Sequence, residues 1–151
     1  MRSHSRHFAA LAALLFLGGC SDDPAQPDPV VCDPELTSVT ANVSGGLSPV
    51  FDWDPACPVA MVMVEEHAHD KWVLMTDEAG WDDPATANII EPPVTYGVVP
   101  DGLIELPNPE ALEPGVTYEL ILWRILPAGS TAVCEARFDD ACLLTVHTFA
   151  R

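Results

Sequence analysis

Short runs of apolar residues, rich in valine, isoleucine and aromatic side chains, alternate with turn residues along most of the chain. Runs of this length and composition between turns are typical of β-strands. The predicted strands are Leu36–Val43, Val50–Trp53, Val59–Glu66, Lys71–Thr76, Tyr118–Leu126 and Leu143–Phe149. No segment of this region has helical periodicity. The pattern therefore predicts an all-β sandwich.

Two segments of the chain do not show the simple alternation of apolar and polar residues. Val59–Glu66 begins with apolar residues on both faces, which predicts a strand in the middle of a sheet. Residues 77–109 are rich in proline and glycine and contain only brief apolar bursts. For this segment we expect one short strand and long loops.

The beginning of the chain has a different pattern. Arg2 and Arg6 precede an apolar run from Phe8 to Leu17, which is typical of a secretory signal. The run is too short to span a bilayer, which requires about 20 apolar residues. It predicts that the protein is exported.

The apolar run ends in Leu17-Gly18-Gly19-Cys20, which resembles the lipobox of bacterial lipoproteins. The resemblance implies cleavage between Gly19 and Cys20, removal of residues 1–19, and acylation of Cys20, which would then anchor the chain in membrane lipid. Ser21, where an aspartate would favour retention in the inner membrane, implies an outer-membrane destination. The alternative is an ordinary signal peptide with an incidental cysteine.

Residues 20–34 are acidic and rich in proline, and they predict an extended tether between the anchor and a single domain of residues 35–151. Beyond residue 19 the chain has 23 acidic residues against four basic ones. This charge excludes nucleic acid as a partner and repels an anionic membrane surface. Acidic loops also keep an exported domain soluble, and we expect a monomer.

Four cysteines follow Cys20: Cys32, Cys57, Cys134 and Cys142. None forms a C-x-x-C pair, so a zinc ribbon or a thioredoxin-like redox site is not indicated. In an exported protein an even number of cysteines indicates disulfides. Of the three possible connectivities we favour Cys134–Cys142, across a hairpin, with Cys32–Cys57, at the start of the domain.

Leu112-Glu113-Pro114-Gly115-Val116-Thr117-Tyr118 resembles the L-x-P-G-x-x-Y turn of fibronectin type III domains. In that family the tyrosine hydroxyl bonds back to the turn as a tyrosine corner. Trp53 matches the core tryptophan of the family's second strand. The resemblance implies an immunoglobulin-like or fibronectin type III-like sandwich, which serves more often as a binding or spacing module than as an enzyme.

No serine-nucleophile elbow, zinc-protease helix or phosphate loop occurs in the sequence, so we expect neither an enzyme nor a cofactor. A cluster of metal-ligating side chains lies at residues 65–70. In an extended chain His67 and His69 project to the same side and, with a neighbouring carboxylate, have the chemistry to bind zinc or copper. The alternative is a polar hairpin tip.

Strand alternation also predicts an apolar outer face. If Tyr118 and the alternate residues after it point inward, the residues between them point outward. The predicted outer face contains Met61, Met63, Ile121, Trp123, Ile125, His147 and Phe149. Either residues 77–109 or the tether cover this face, or it docks a partner protein of the cell envelope.

These observations predict a lipid-anchored cell-envelope protein with a non-catalytic interaction or spacer domain. The alternative function is a periplasmic lipoprotein that binds zinc or copper through His67 and His69.

Overall fold

The computed structural model describes residues 31–77, 80–138 and 140–151. Within these ranges the chain forms nine strands and one short helix. They are β1 (Thr40–Ser44), β2 (Val50–Asp54), β3 (Met61–Glu66), β4 (His69–Met75), α1 (Pro84–Ala87), β5 (Val94–Thr95), β6 (Ile104–Glu105), β7 (Thr117–Ile125), β8 (Arg137–Phe138) and β9 (Ala141–Ala150). The predicted signal, Gly19, Cys20 and most of the tether lie outside the described residues.

The strands form two antiparallel sheets among the described residues. The small sheet has the order β1-β2-β5, and the large sheet has the order β6-β4-β3-β7-β9-β8. The prediction that β3 is central is confirmed, since it pairs with β4 on one side and with β7 on the other. In this part of the chain no helix has the length and apolar character needed to cross a membrane.

The hydrophobic core fills the space between the two sheets. Phe51 of the small sheet lies with its ring centroid 6.5 Å from that of Trp72 and 5.8 Å from that of Phe149, both of which belong to the large sheet. Leu120 and Leu122 of β7 are fully buried in the same cluster. The chain therefore folds as the predicted all-β sandwich.

Two disulfides cross-link the described part of the chain. They join Cys32 to Cys57 and Cys134 to Cys142, the connectivity that the sequence favoured. Disulfides persist in oxidising compartments, so the pair indicates an exported location.

Residues 77–109 contain more regular structure than the sequence predicted. Besides β5 and β6 they form α1, whose first turn is capped by Asp83: its carboxylate accepts a hydrogen bond of 2.9 Å from the Ala85 N–H. Pro84 follows at the first helical position, where its missing N–H costs nothing. A helix of four residues is too short to produce an apolar periodicity, which is why the pattern did not reveal it.

Candidate binding groove on the large sheet

An apolar surface lies on the outer side of β3 and β7. Met61 is opposite Trp123 in the strand register, and Met63 is opposite Ile121. All four side chains are partly exposed, whereas the residues between them are buried in the core. The prediction that these four residues share the outer face of the sheet is confirmed.

A β-bulge extends this surface onto β9. The pairing of β7 with β9 shifts after Leu122, so that Trp123 lies opposite Leu143 rather than Leu144. The bulge resets the alternation along β9. As a result Leu143 and Val146, which is 45 % exposed, both lie on the outer face.

Phe149, which the sequence placed on the outer face, is buried in the core, so that prediction is wrong. It lies opposite Tyr118, and the two ring centroids are 5.8 Å apart. Residues opposite each other in an antiparallel pair share one face, and Tyr118 points inward. His147 lies opposite the inward-facing Leu120 and so also leaves the predicted face.

One end of the outer face is covered by the segment around α1. Trp81 and Ala87 pack there against Ile125 and Ala141 in a second small core. Asn88 fixes the segment to β7: its Nδ2 donates to the Ile125 carbonyl at 2.8 Å, and its Oδ1 accepts from the Ile125 N–H at 2.9 Å. Residues 77–109 therefore cover part of the face, as one of the two alternatives proposed.

The remainder of the face is an open groove of about 450 Å³, here called the apolar groove. Its lining is Met61, Met63, Glu65, Trp81, Ile121, Trp123, Ala141, Leu143 and Val146. The volume lies within the range of small-molecule and peptide side-chain sites. The sequence identified four of these positions and missed the contributions of the other five, which are Glu65, Trp81, Ala141, Leu143 and Val146.

The end of the groove away from Trp81 is acidic. Glu65 lies between Asp70 of β4 and Glu119 of β7 in the strand register. Burial raises the pKa of Glu65, and the charges of Asp70 and Glu119 raise it further. Glu65 is the only charged residue of the described chain that lines the apolar groove. Its surroundings disfavour the ionised carboxylate.

His67 and His69 do not lie on one extended segment, so the geometry predicted for a metal site is wrong. His67 and Ala68 have φ of 51° and 62° and form the turn between β3 and β4, and His69 begins β4. The described part of the chain contains no group of three or more His, Cys, Asp and Glu residues placed to hold a metal ion. These histidines occupy the hairpin tip that the sequence offered as the alternative.

The residues of the L-x-P-G-x-x-Y turn and Trp53 are parts of the scaffold. The Tyr118 hydroxyl accepts a hydrogen bond of 2.8 Å from the Glu113 N–H, and Leu112 is buried beside it. Trp53 is buried and donates from its indole N–H to the Cys57 carbonyl at 2.8 Å. These contacts hold the turn before β7 and the segment after β2 against the core.

Comparison with known proteins found no matching family model, no matching curated protein and no matching solved structure.

Proposed function

We propose that this chain is a lipid-anchored protein of the cell envelope whose non-catalytic domain binds a partner protein through the apolar groove. The observation that carries the proposal is the groove itself. An outward-facing sheet surface in water normally carries polar side chains, whereas this one carries Met61, Met63, Ile121 and Trp123.

The chemistry of the lining suits contact with another protein. Unbranched methionine side chains adapt to the shape of an apolar partner. Trp123 offers the large flat surface that often contributes most to binding energy at an interface. Glu65, at the rim, disfavours an anionic group beside it and so restricts which segment docks there.

The proposed location rests on the N-terminal sequence and on the disulfides. Leu17-Gly18-Gly19-Cys20 supports acylation of Cys20, and Ser21 supports delivery to the outer membrane. At polyproline spacing the residues from Cys20 to Cys32 reach roughly 35–40 Å, which would hold the acidic domain away from the bilayer. The Cys32–Cys57 disulfide joins this tether to the body of the domain.

The proposal includes a sandwich of the fibronectin type III kind. The hydrogen bond between Tyr118 and Glu113 has the geometry of a tyrosine corner. In immunoglobulin-like sandwiches the first, second and fifth strands share one sheet. Here β1, β2 and β5 share the small sheet, while β4 pairs with β3 in the large one.

Binding through the groove is tested by capturing envelope proteins with the purified protein and then repeating the binding with the captured protein alone. We expect Trp123→Ala to weaken binding at least tenfold, the scale of an interface residue that contributes more than about 1.4 kcal/mol. Leu106→Ala, at an exposed leucine outside the groove, is the matched control and is expected to bind normally. Equal binding by both variants would contradict the proposal.

Lipid attachment is tested by growing cells with radiolabelled palmitate. The wild-type protein is expected to incorporate label and Cys20→Ala to lose it. A double variant, Cys32→Ala with Cys57→Ala, controls for loss of a cysteine elsewhere and is expected to keep the label. Label that persists in Cys20→Ala would show that acylation does not occur at this residue.

A further inference from the structure

Arg124 continues the inward-facing side of β7. Tyr118, Leu120 and Leu122 point into the core, and Arg124 follows at the next inward position, opposite Cys142 of β9. Its side chain is 7 % exposed. A guanidinium is therefore held at the end of the sandwich instead of extending into water.

This buried guanidinium has donors without partners. Nε and Nη1 of Arg124 are buried and make no hydrogen bond within the described chain. A guanidinium can bind a carboxylate along either of two edges of its plane. Nε belongs to one of these edges and Nη1 to the other, so each edge has a donor without a partner. Burial lowers the pKa of Arg124, because it removes water from the charged form.

Arg151 also has two buried nitrogens without a partner, Nε and Nη2, but its Nη1 donates to the Gly45 carbonyl and its guanidinium lies over the Phe149 ring. The remaining two basic residues have ion pairs: Lys71 with Glu66 and Glu110, and Arg137 with Asp140. The charge of Asp33 acts on Arg124, but the Asp33 carboxylate accepts a hydrogen bond of 2.9 Å from the Glu35 N–H. Among the lysine and arginine residues of the described chain, Arg124 is thus the one with neither a hydrogen bond nor an ion pair, although the chain has an excess of acidic groups.

Arg124 lies in the wall of a cavity of about 360 Å³ at the end of the sandwich. Four prolines line this cavity: Pro34, Pro58, Pro84 and Pro127. Asn88 also lies in the wall, but both ends of its carboxamide are bound to Ile125. The cavity therefore presents one cation within apolar walls.

We propose that this cavity is a carboxylate-binding site in which Arg124 is the anchoring residue. A buried cation without a partner is costly, and a carboxylate that bonds along one edge of the guanidinium reduces that cost. A single guanidinium matches one negative charge and two acceptor oxygens. A phosphate, with more charge and more acceptors, needs further donors that the described walls do not provide.

The carboxylate has two possible sources with the same chemistry. One is the chain itself, because Asp28 lies four residues before Cys32, which lines the cavity, and Asp22 and Asp23 lie further along the tether. The other is a carboxylate of a separate molecule. In the first case the site ties the tether to the domain, and in the second it is a ligand site.

The test follows the Arg124 Nε–H resonance by NMR in the full mature chain, purified in detergent and labelled at arginine. Arg137→Gln and Arg151→Gln assign the resonance by elimination, so no variant of Arg124 is needed. Sodium acetate is titrated against sodium chloride at constant ionic strength, and inorganic phosphate is titrated separately. The same titrations are repeated with a variant in which Asp22, Asp23 and Asp28 are all asparagine.

A saturable acetate shift in the wild-type chain would support a site for a separate carboxylate. Acetate binding that is at least tenfold tighter in the triple variant than in the wild type would support occupation by the tether. The proposal is overturned if acetate moves the resonance in neither protein, if chloride moves it equally, or if phosphate binds more tightly than acetate.

Discussion

The carboxamide of Asn88 makes two hydrogen bonds to the backbone of Ile125, one in each direction. This contact ties the segment after α1 to the last residue of β7, and it holds Trp81 and Ala87 over one end of the outer face. Together with the backbone bridge between Val59 and Ile90, the Asn88 side chain therefore holds the segment that closes one end of the apolar groove.

We expect Asn88→Ala to destabilise the protein by about 2 kcal/mol, because two partly buried hydrogen bonds are lost. The Ile125 amide, which donates to Asn88, is expected to exchange its hydrogen faster. Denaturant unfolding and hydrogen exchange measure the two effects. Asn108→Ala, at an exposed asparagine, is the control, and unchanged exchange at Ile125 would contradict the role of Asn88.

Tyr118→Phe removes the acceptor of the Glu113 N–H while keeping the aromatic ring in the core. We expect a loss of about 1–2 kcal/mol in the free energy of unfolding, since the amide is left without its partner. Denaturant unfolding measures the change. A loss below about 0.3 kcal/mol would mean that the turn before β7 does not depend on this hydrogen bond.

Glu65 makes stability depend on pH. Its folded-state pKa is raised, so it favours the folded state below its ordinary pKa of 4.5, and that contribution is lost as the pH rises through the folded-state value. We expect Glu65→Gln to be more stable than the wild type at pH 7, by about 0.5 kcal/mol, the scale of a cross-strand pair.

This advantage is expected to disappear below pH 4, where Glu65 is protonated in both the folded and the unfolded chain. Thermal unfolding between pH 3 and pH 8 measures it. Glu91→Gln, at an exposed glutamate, serves as the control. A stability difference that is independent of pH would show that the ionisation of Glu65 is not its source.

The two disulfides are expected to contribute unequally. They close loops with sequence separations of 25 and 8 residues. Loop-closure entropy predicts a loss of about 3.5 kcal/mol when Cys32 and Cys57 are both replaced by alanine, and about 2.5 kcal/mol for Cys134 and Cys142. Denaturant unfolding of the two double variants gives the order, and the reverse order would contradict the entropic account.

The parts of the fold that the sequence predicted are those that depend on local alternation. Val62 and Val64 alternate with Met61 and Met63, and this pattern is enough to assign β3 and both of its faces. Tyr118 and its turn were identified because their residues are consecutive. Neither assignment needed knowledge of which strands pair.

What the sequence did not reveal depends on pairing between distant segments. The bulge at Leu144 turns Leu143 outward, and it exists only in the register of β9 against β7. Phe149 was misplaced because its face is set by Tyr118, far away in the sequence. Arg124, in contrast, follows the inward alternation of β7, and that alternation alone would have predicted its burial.

The central claim, that the apolar groove binds a partner protein, is tested most directly by photocrosslinking in living cells. A photoreactive phenylalanine derivative replaces Val146, which is 45 % exposed in the groove, or Val133, which is 88 % exposed and does not line it. The account predicts a discrete crosslinked product from position 146 that is lost with Trp123→Ala and is absent from position 133. No discrete product at position 146, or the same products from both positions, would contradict it.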